Sequence, residues 1–436
     1  MKNIDEKKFD FRLYFALLVS MFIPTIYTTV RIFFIGNLPN TWAFSIAGQL
    51  GWINLIYEVA EEAIILPLFY FIGQVINDKE KLTGRIKSGL IFSAVVYTTL
   101  SVFIILFVHP LLNLMATGSE ITEASAIYIR IESIGNIFAL LLAFCMVVFT
   151  TIGKEKHLYV LLVAKVLLSI MLDTFLVSTL PFSANLGING IGFSNIISNF
   201  LLLIIAIIIL KKEDIHIFGK IKIDFSWMKE FFKVGGISGL ESLVRNLFYM
   251  LMVCRMVNVV GEQGTYWVAN SFIWGWLLIP INALGELIKK EISSDEKAIK
   301  EKTKQYFFAT FIICALWFIS IPVWKPFMQN ILRFNEVEKL YLLVLILIGF
   351  YVTYALQNIF DMTFYGLGKT EYMFWETVVT NVIYYGTFFV LFKTGYFIPT
   401  LNKIAIMFGA GCAYDAIVSG AAYIILLKRM KISERK

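Results

Sequence analysis

Residues 79–112 read KEKLTGRIKSGLIFSAVVYTTLSVFIILFVHPLL: a joint carrying Lys79, Lys81, Arg85 and Lys87, then a run from Ser88 to Leu112 without Asp, Glu, Lys or Arg. A helix rises about 1.5 Å per residue, so about 20 apolar residues cross a hydrocarbon core roughly 30 Å thick. The run is long enough to cross. In lipid every backbone N–H and C=O needs a partner within the protein, which a helix supplies from its own turns. The same unit, an apolar run bounded by polar joints, recurs along the whole chain.

Composition agrees, with 58% hydrophobic residues, 16% charged residues and a mean hydropathy of +0.76, well away from soluble averages. Apolar spans are expected at 13–37, 48–76, 88–112, 124–151, 158–180, 190–210, 231–260, 265–290, 305–330, 339–366, 372–395 and 403–427. Twelve crossings return the chain to the side on which it began. Lys325, Arg333, Lys339, Lys393 and Lys403 fall on one face and five basic residues fall within spans away from the basic joints; the rest of the 38 Lys and Arg lie in or at the edge of the even-numbered joints and at the ends. Basic joints stay in the cytoplasm. The expected fold is an all-α polytopic membrane protein of twelve transmembrane helices, in the cell (plasma or inner) membrane, with both termini cytoplasmic.

The net charge of +7 follows from those joints, and no basic and aromatic domain outside the membrane offers nucleic acid a surface. Cys145, Cys254, Cys314 and Cys412 lie singly in apolar spans, without disulfide or zinc spacing. The basic N-terminus lacks a small-residue cleavage site, so the first span reads as retained. The longest joint, about 211 to 230, has room for a short interfacial helix around Ile223 to Lys229.

The chain also repeats itself. Thr151-Ile152-Gly153-Lys154-Glu155 closes span 4 and Gly366-Leu367-Gly368-Lys369-Thr370 closes span 10; Asp173-Thr174-Phe175 in span 5 is echoed by Gly386-Thr387-Phe388 in span 11. Gly190-Ile191-Gly192 and Ser198 of span 6 match Gly409-Ala410-Gly411 and Ser419 of span 12 at an offset of about 215 to 222 residues. Six spans separate the copies, so both have one membrane orientation and are related by a pseudo-two-fold along the membrane normal, the pattern of parallel-repeat transporters. The expected domains are an N-terminal six-helix bundle at 1–215, a cytoplasmic linker at 216–230 and a C-terminal six-helix bundle at 231–436.

Ser169-Ile170-Met171-Leu172-Asp173 followed by Leu186-Gly187-Ile188-Asn189-Gly190-Ile191-Gly192 resembles the Asn-x-x-Leu-Asp and Leu-Gly-Val-x-Gly-Ala-Ala runs of the multidrug and toxic compound extrusion (MATE) family, within the wider multidrug/oligosaccharidyl-lipid/polysaccharide exporter superfamily. Val30-Arg31-Ile32-Phe33-Phe34-Ile35-Gly36 is similar to that family's Val-Asp-Thr-Ile-Phe-Val-Gly. The resemblance implies two six-helix bundles around a central cleft and export in exchange for H⁺ or Na⁺. It also implies departures: the span 1 Asp position is Arg31, the span 7 Glu position is Arg245 and the span 10 Asp position is Tyr354, while Asp173 keeps the family's first-half carboxylate.

Buried charge points to the same residues without the family. An ionisable group near mid-bilayer costs roughly 2.5 to 3.5 kcal/mol and needs protein or water as a neighbour. Glu58, Glu61 and Glu62 share one face of span 2 at i, i+3, i+4, so cations must compensate them, Arg31 being nearest in sequence, or protons must. Glu241 and Arg245 stand one turn apart on span 7 and form a pair there or serve a site. Lys165 and Asp173 share a face of span 5. Asn282 on span 8 and Tyr354, Gln357 and Asp361 on span 10 complete the candidate substrate and ion site, while Arg255 and Glu376 read as nearer span ends and Asp415 as a further charge of span 12. Pro24, Pro67 and Pro280 mark bending points. The structural alternative is that these groups are ion pairs and interhelical glue.

Gly366-x-Gly-Lys-Thr is a cytoplasmic turn rather than a phosphate loop, because Thr363 stands where the motif needs its first Gly and no strand precedes it. No nucleophile–base pair or metal set appears, so no enzyme activity, metal or cofactor is expected beyond a coupling ion. The reading is a monomeric secondary active exporter of small organic molecules, rocking its two bundles, in exchange for H⁺ or Na⁺. The alternatives are a flippase for a lipid-linked saccharide or precursor, and a receptor or scaffold that transports nothing. Arg31 and Arg245 facing each other across a cleft would attract an anionic or zwitterionic substrate.

Overall fold

The computed structural model describes residues 9–219 and 223–433, and among them no strand forms. The first six helices are α1 (Phe11–Gly36), α2 (Ala43–Gly73), α3 (Lys79–Leu114), α4 (Ser119–Thr151), α5 (Glu155–Leu176) and α6 (Ile188–Lys212). The second six are α7 (Met228–Val259), α8 (Gln263–Leu277 with Ile279–Ser294), α9 (Ala298–Asn330), α10 (Val337–Gly366), α11 (Thr370–Val379, Thr380–Tyr385 and Gly386–Lys393 without a gap) and α12 (Leu401–Ser433). Each of the twelve expected spans falls on one of them. Nine are long and apolar enough to cross a membrane, and the bent α8 makes ten. The other two are α2, with its three glutamates, and α11, which is interrupted by a π-helical turn at Thr380–Tyr385.

Exposed side chains such as Leu106, Ile319 and Ile417 are apolar, as a lipid-facing surface requires. Pro24 and Pro67 lie inside continuous helices, whereas α8 bends by 52° just ahead of Pro280. Proline there takes the first turn of the new segment, where its missing N–H costs nothing. The interfacial helix expected around Ile223 to Lys229 is absent. Trp227 is instead buried, donating Nε1 to Ser88 Oγ at 3.0 Å and packing on Phe231 and Phe71, so the chain enters α7 directly at Met228.

The internal repeat reappears in turn geometry. After α4, Gly153 has φ +72° and Lys154 N–H bonds Phe149 O at 2.8 Å; after α10, Gly368 has φ +65° and Lys369 N–H bonds Phe364 O at 2.8 Å. Both are left-handed glycine caps in which the sixth residue reaches back to the first.

Contacts group the chain into two compact units that do not follow the halves 1–215 and 231–436. Val30–Gly264 form one unit; Thr265 onward, with the described residues up to Thr29, form the other. Thus α7 belongs with α2, against which Gly235 and Gly239 lie directly on Ala63. This Gly-x-x-x-Gly face lets two membrane helices approach closely. In the unit that holds the later helices, α10 packs on α12, α8 and α9, with Phe364 stacked on Tyr372 at 5.3 Å.

Candidate functional site

The candidate side chains gather into three polar groups among the described residues. The first closes α1 on α5 and α6 in the Val30–Gly264 unit. Arg31 donates Nε to Asp173 Oδ2 at 3.0 Å and Nη2 to Asn195 Oδ1 at 3.0 Å; Asn195 Nδ2 then reaches both Glu132 oxygens at 2.9 Å. Asp173 and Glu132 are each 1% exposed. Lys165, also named from the sequence, acts on Glu61 and Glu132 by its charge. Arg31 thus stands as a fixed cation beside the buried Asp173.

The second group joins α2 to α7 in the same unit. Arg245 Nη2 contacts Glu62 Oε1 at 2.6 Å and Glu58 Oε1 at 3.3 Å, with Ser242 Oγ at 3.4 Å. Glu241, one turn earlier, adds its charge to Arg245. The three carboxylates of the α2 face are thus divided: Glu58 and Glu62 turn to Arg245, and Glu61 feels Lys165. Arg31, the cation nearest in sequence, is not the one that compensates them. Arg31 and Arg245 both belong to the Val30–Gly264 unit, and each is paired with carboxylates there. The side chain of Arg245 is nevertheless 43% exposed and that of Glu58 39% exposed, about halfway along membrane-length helices.

The third group lies in the unit of the later helices, between α10, α11 and α12. Gln357 Nε2 stands 3.1 Å from Asp361 Oδ2, 2.7 Å from Glu376 Oε1 and 2.8 Å from Asp415 Oδ2. Ser419 donates to Asp361 Oδ1 at 2.6 Å, and Thr380 donates to Asp415 Oδ1. Glu376 is only 5% exposed, so it does not reach the interface expected from its place in the span. One turn up α10, Tyr354 packs edge-on against Trp274 with centroids 5.5 Å apart; Asn282 is half-buried on α8. Arg255 caps α3, donating Nε to Leu114 O at 2.9 Å.

Sequence reading missed Glu132, Asn195, Thr380 and Ser419. Glu132 had a signal, a carboxylate deep in an apolar span, but Arg130 two residues earlier made that end of α4 resemble an interface. Hydroxyls and amides carry no such signal, since both are common on membrane helices. Among the described residues no group of three His, Cys, Asp or Glu could hold a metal ion.

Outside the spans, Lys154 and His157 hydrogen-bond Glu213 at the end of α6 and hold its carboxyl below the usual range. Lys79 does the same for Asp214.

No family model matches the sequence, and no curated protein matches it. Solved structures do. One described as the inward-facing conformation of a multidrug resistance MATE family transporter of the MOP superfamily superposes with a TM-score of 0.78 at 18% identity, over 96% of this chain and 98% of that one. An outward-facing conformation of such a transporter gives 0.63 at 18% identity, over 100% and 98%. A MOP superfamily transporter from Pyrococcus furiosus, described by a reversed polarity of its binding pocket that suggests a different function, gives 0.67 at 16% identity, over 99% and 98%. The chain has the fold of the MATE transporters.

Proposed function

We propose that this chain is a secondary active transporter of the MATE type, exporting small organic molecules in exchange for H⁺ or Na⁺. The observation that carries this reading is the exposed Arg245–Glu58–Glu62 group on α7 and α2. Charged side chains halfway along membrane-length helices are stable where protein partners or water meet them, and the exposed part of this group is left to water. A watered, two-signed polar surface inside a membrane fold is what a polar solute requires on its way across. Solved neighbours described as inward-facing and outward-facing support an alternating cycle. In this reading the halves 1–215 and 231–436 rock about the cleft, both termini stay in the cytoplasm of a cell-membrane monomer, and no cofactor takes part.

The residues proposed to take part are Arg31, Glu58, Glu61, Glu62, Asp173, Glu241 and Arg245 in one unit and Asn282, Tyr354, Gln357 and Asp361 in the other, with divided roles. Arg245, Glu58 and Glu62 meet substrate. Arg31 and Asp173 hold α1, α5 and α6 together. Gln357 and Asp361 belong to ion handling. A lipid-linked saccharide is the second reading, favoured by an apolar groove of about 950 Å³ lined by Phe15, Trp276, Pro280, Phe308 and Trp317. Among the described residues its one basic lining residue is Lys304, which gives a pyrophosphate little to bind, so this reading comes second.

Flux in proteoliposomes under an imposed pH or Na⁺ gradient tests the proposal, with cationic and anionic dyes compared. The expected result is gradient-driven flux that Arg245→Gln abolishes. Absence of flux under either gradient overturns it.

A further inference from the structure

We propose that Asp361, Glu376 and Asp415, gathered around Gln357, form a proton-holding site carrying at least two protons, and that this site couples transport to the proton gradient. The coupling half rests on the transport reading above; the proton half does not.

Hydrogen counting carries the inference. Gln357 Nε2 has two N–H bonds but faces one oxygen from each of three carboxyls. Ser419 and Thr380 supply one hydrogen each. Four donated hydrogens therefore meet six carboxyl oxygens, and Glu376 Oε2, fully buried, receives none of them.

Charge counting agrees. Among the described residues no Lys or Arg forms an ion pair with any of the three. Of the cations on the packed elements, Lys289 pairs with Glu286 at 2.6 Å on α8, Lys302 of α9 with Glu291 at 2.9 Å, where Tyr306 also bonds, and Arg429 of α12 donates to Tyr372. Two further titratable side chains nearby are Cys412, one turn before Asp415, and Tyr384, which donates to Met407 O at 2.8 Å. Glu376 is buried and Asp361 and Asp415 are half-buried; three uncompensated charges so placed within membrane-length helices are costly, whereas one charge shared among hydrogen-bonded acids is bearable.

The ligand is a proton rather than a metal ion. A metal needs several oxygens converging at about 2.0 to 2.6 Å, and here the Gln357 amide occupies the point of convergence.

Infrared spectroscopy of the full chain in nanodiscs at neutral pH tests this through the C=O stretch of protonated carboxylic acids. Wild type is expected to show two acid equivalents, falling to one in Glu376→Gln and unchanged in Glu213→Gln, which alters an ionised carboxylate outside the spans. No such band in wild type overturns the site. So does a band that Asp361→Asn, Glu376→Gln and Asp415→Asn all leave intact, or one that NaCl abolishes and choline chloride does not. The wild-type and NaCl arms decide the matter even if a variant fails to fold. For coupling, pH-driven flux is expected to fall at least tenfold in Glu376→Gln; wild-type flux there overturns coupling. A band without flux in any gradient overturns the transport reading and leaves the proton site standing.

Discussion

Arg31 Nε lies 3.0 Å from Asp173 Oδ2, with the carboxylate 1% and the guanidinium 14% exposed. A cation built into the chain thus takes the place beside Asp173 where the family resemblance puts a second carboxylate. The contact locks α1 to α5 within one unit, and Asn195 extends it to Glu132 on α4.

Arg31→Ala leaves Asp173 buried and Glu132 with a weakened partner. Breaking such a pair costs about 3–5 kcal/mol, so thermal unfolding in detergent should shift down sharply. Arg31→Gln combined with Asp173→Asn should recover most of the loss, because no bare charge remains. An unchanged melting temperature in Arg31→Ala alone contradicts the structural role.

Arg245→Gln is expected to do the opposite. Arg245 and Glu58 are 43% and 39% exposed and Glu62 23%, so stability should change by only about 1 kcal/mol, while flux is lost. A large drop in melting temperature would make Arg245 a structural residue instead.

Gly239→Val should disrupt the α2–α7 seam, since even a Cβ at Gly239 would stand 2.8 Å from Ala63 Cβ. Overpacking of this kind costs about 1–3 kcal/mol. Gly235→Ala should cost more than Gly239→Ala, because its Cβ meets a backbone carbonyl that cannot turn aside. Ala63→Gly should rescue Gly239→Ala but not Gly235→Ala.

Gly153→Ala and Gly368→Ala should each destabilise by about 1–2 kcal/mol, the cost of a Cβ in left-handed backbone. Equal shifts in melting temperature are expected because the two caps share one geometry. A loss at only one of them would break the equivalence of the repeats.

Acid sensitivity should include a contribution from Glu213. Its carboxyl is depressed in the folded chain, so its stabilisation is present above the unfolded value of about 4.3 and is lost as pH falls through the lower folded value. Glu213→Gln should flatten the fall of melting temperature below about pH 4.3. An identical acid profile in the variant contradicts this.

Much of the fold was legible because membrane spans are a local property. Any window long enough and apolar enough must be helical in lipid, so 88–112 announces α3 without reference to another segment. Turn chemistry was legible too, since Gly153 and Gly368 cap their helices through their own backbones. The candidate site was legible in membership but not in pairing. Asp173, Gln357, Asp361 and Arg245 stand out as polar residues in apolar runs, yet Glu241, one turn away, is not the hydrogen-bonded partner of Arg245; Glu62 is.

The sequence by itself determined the class, the spans and which positions carry charge into the membrane, because insertion in lipid depends on composition over about 20 consecutive residues. Only the tertiary structure decided which charge meets which. Arg31 and Asp173 are 142 residues apart, and Arg245 and Glu62 are 183 apart. Electrostatic pairing falls off within a few ångströms and carries no trace along the chain, so packing alone gave two groups fixed cations and left the third with acids and an amide.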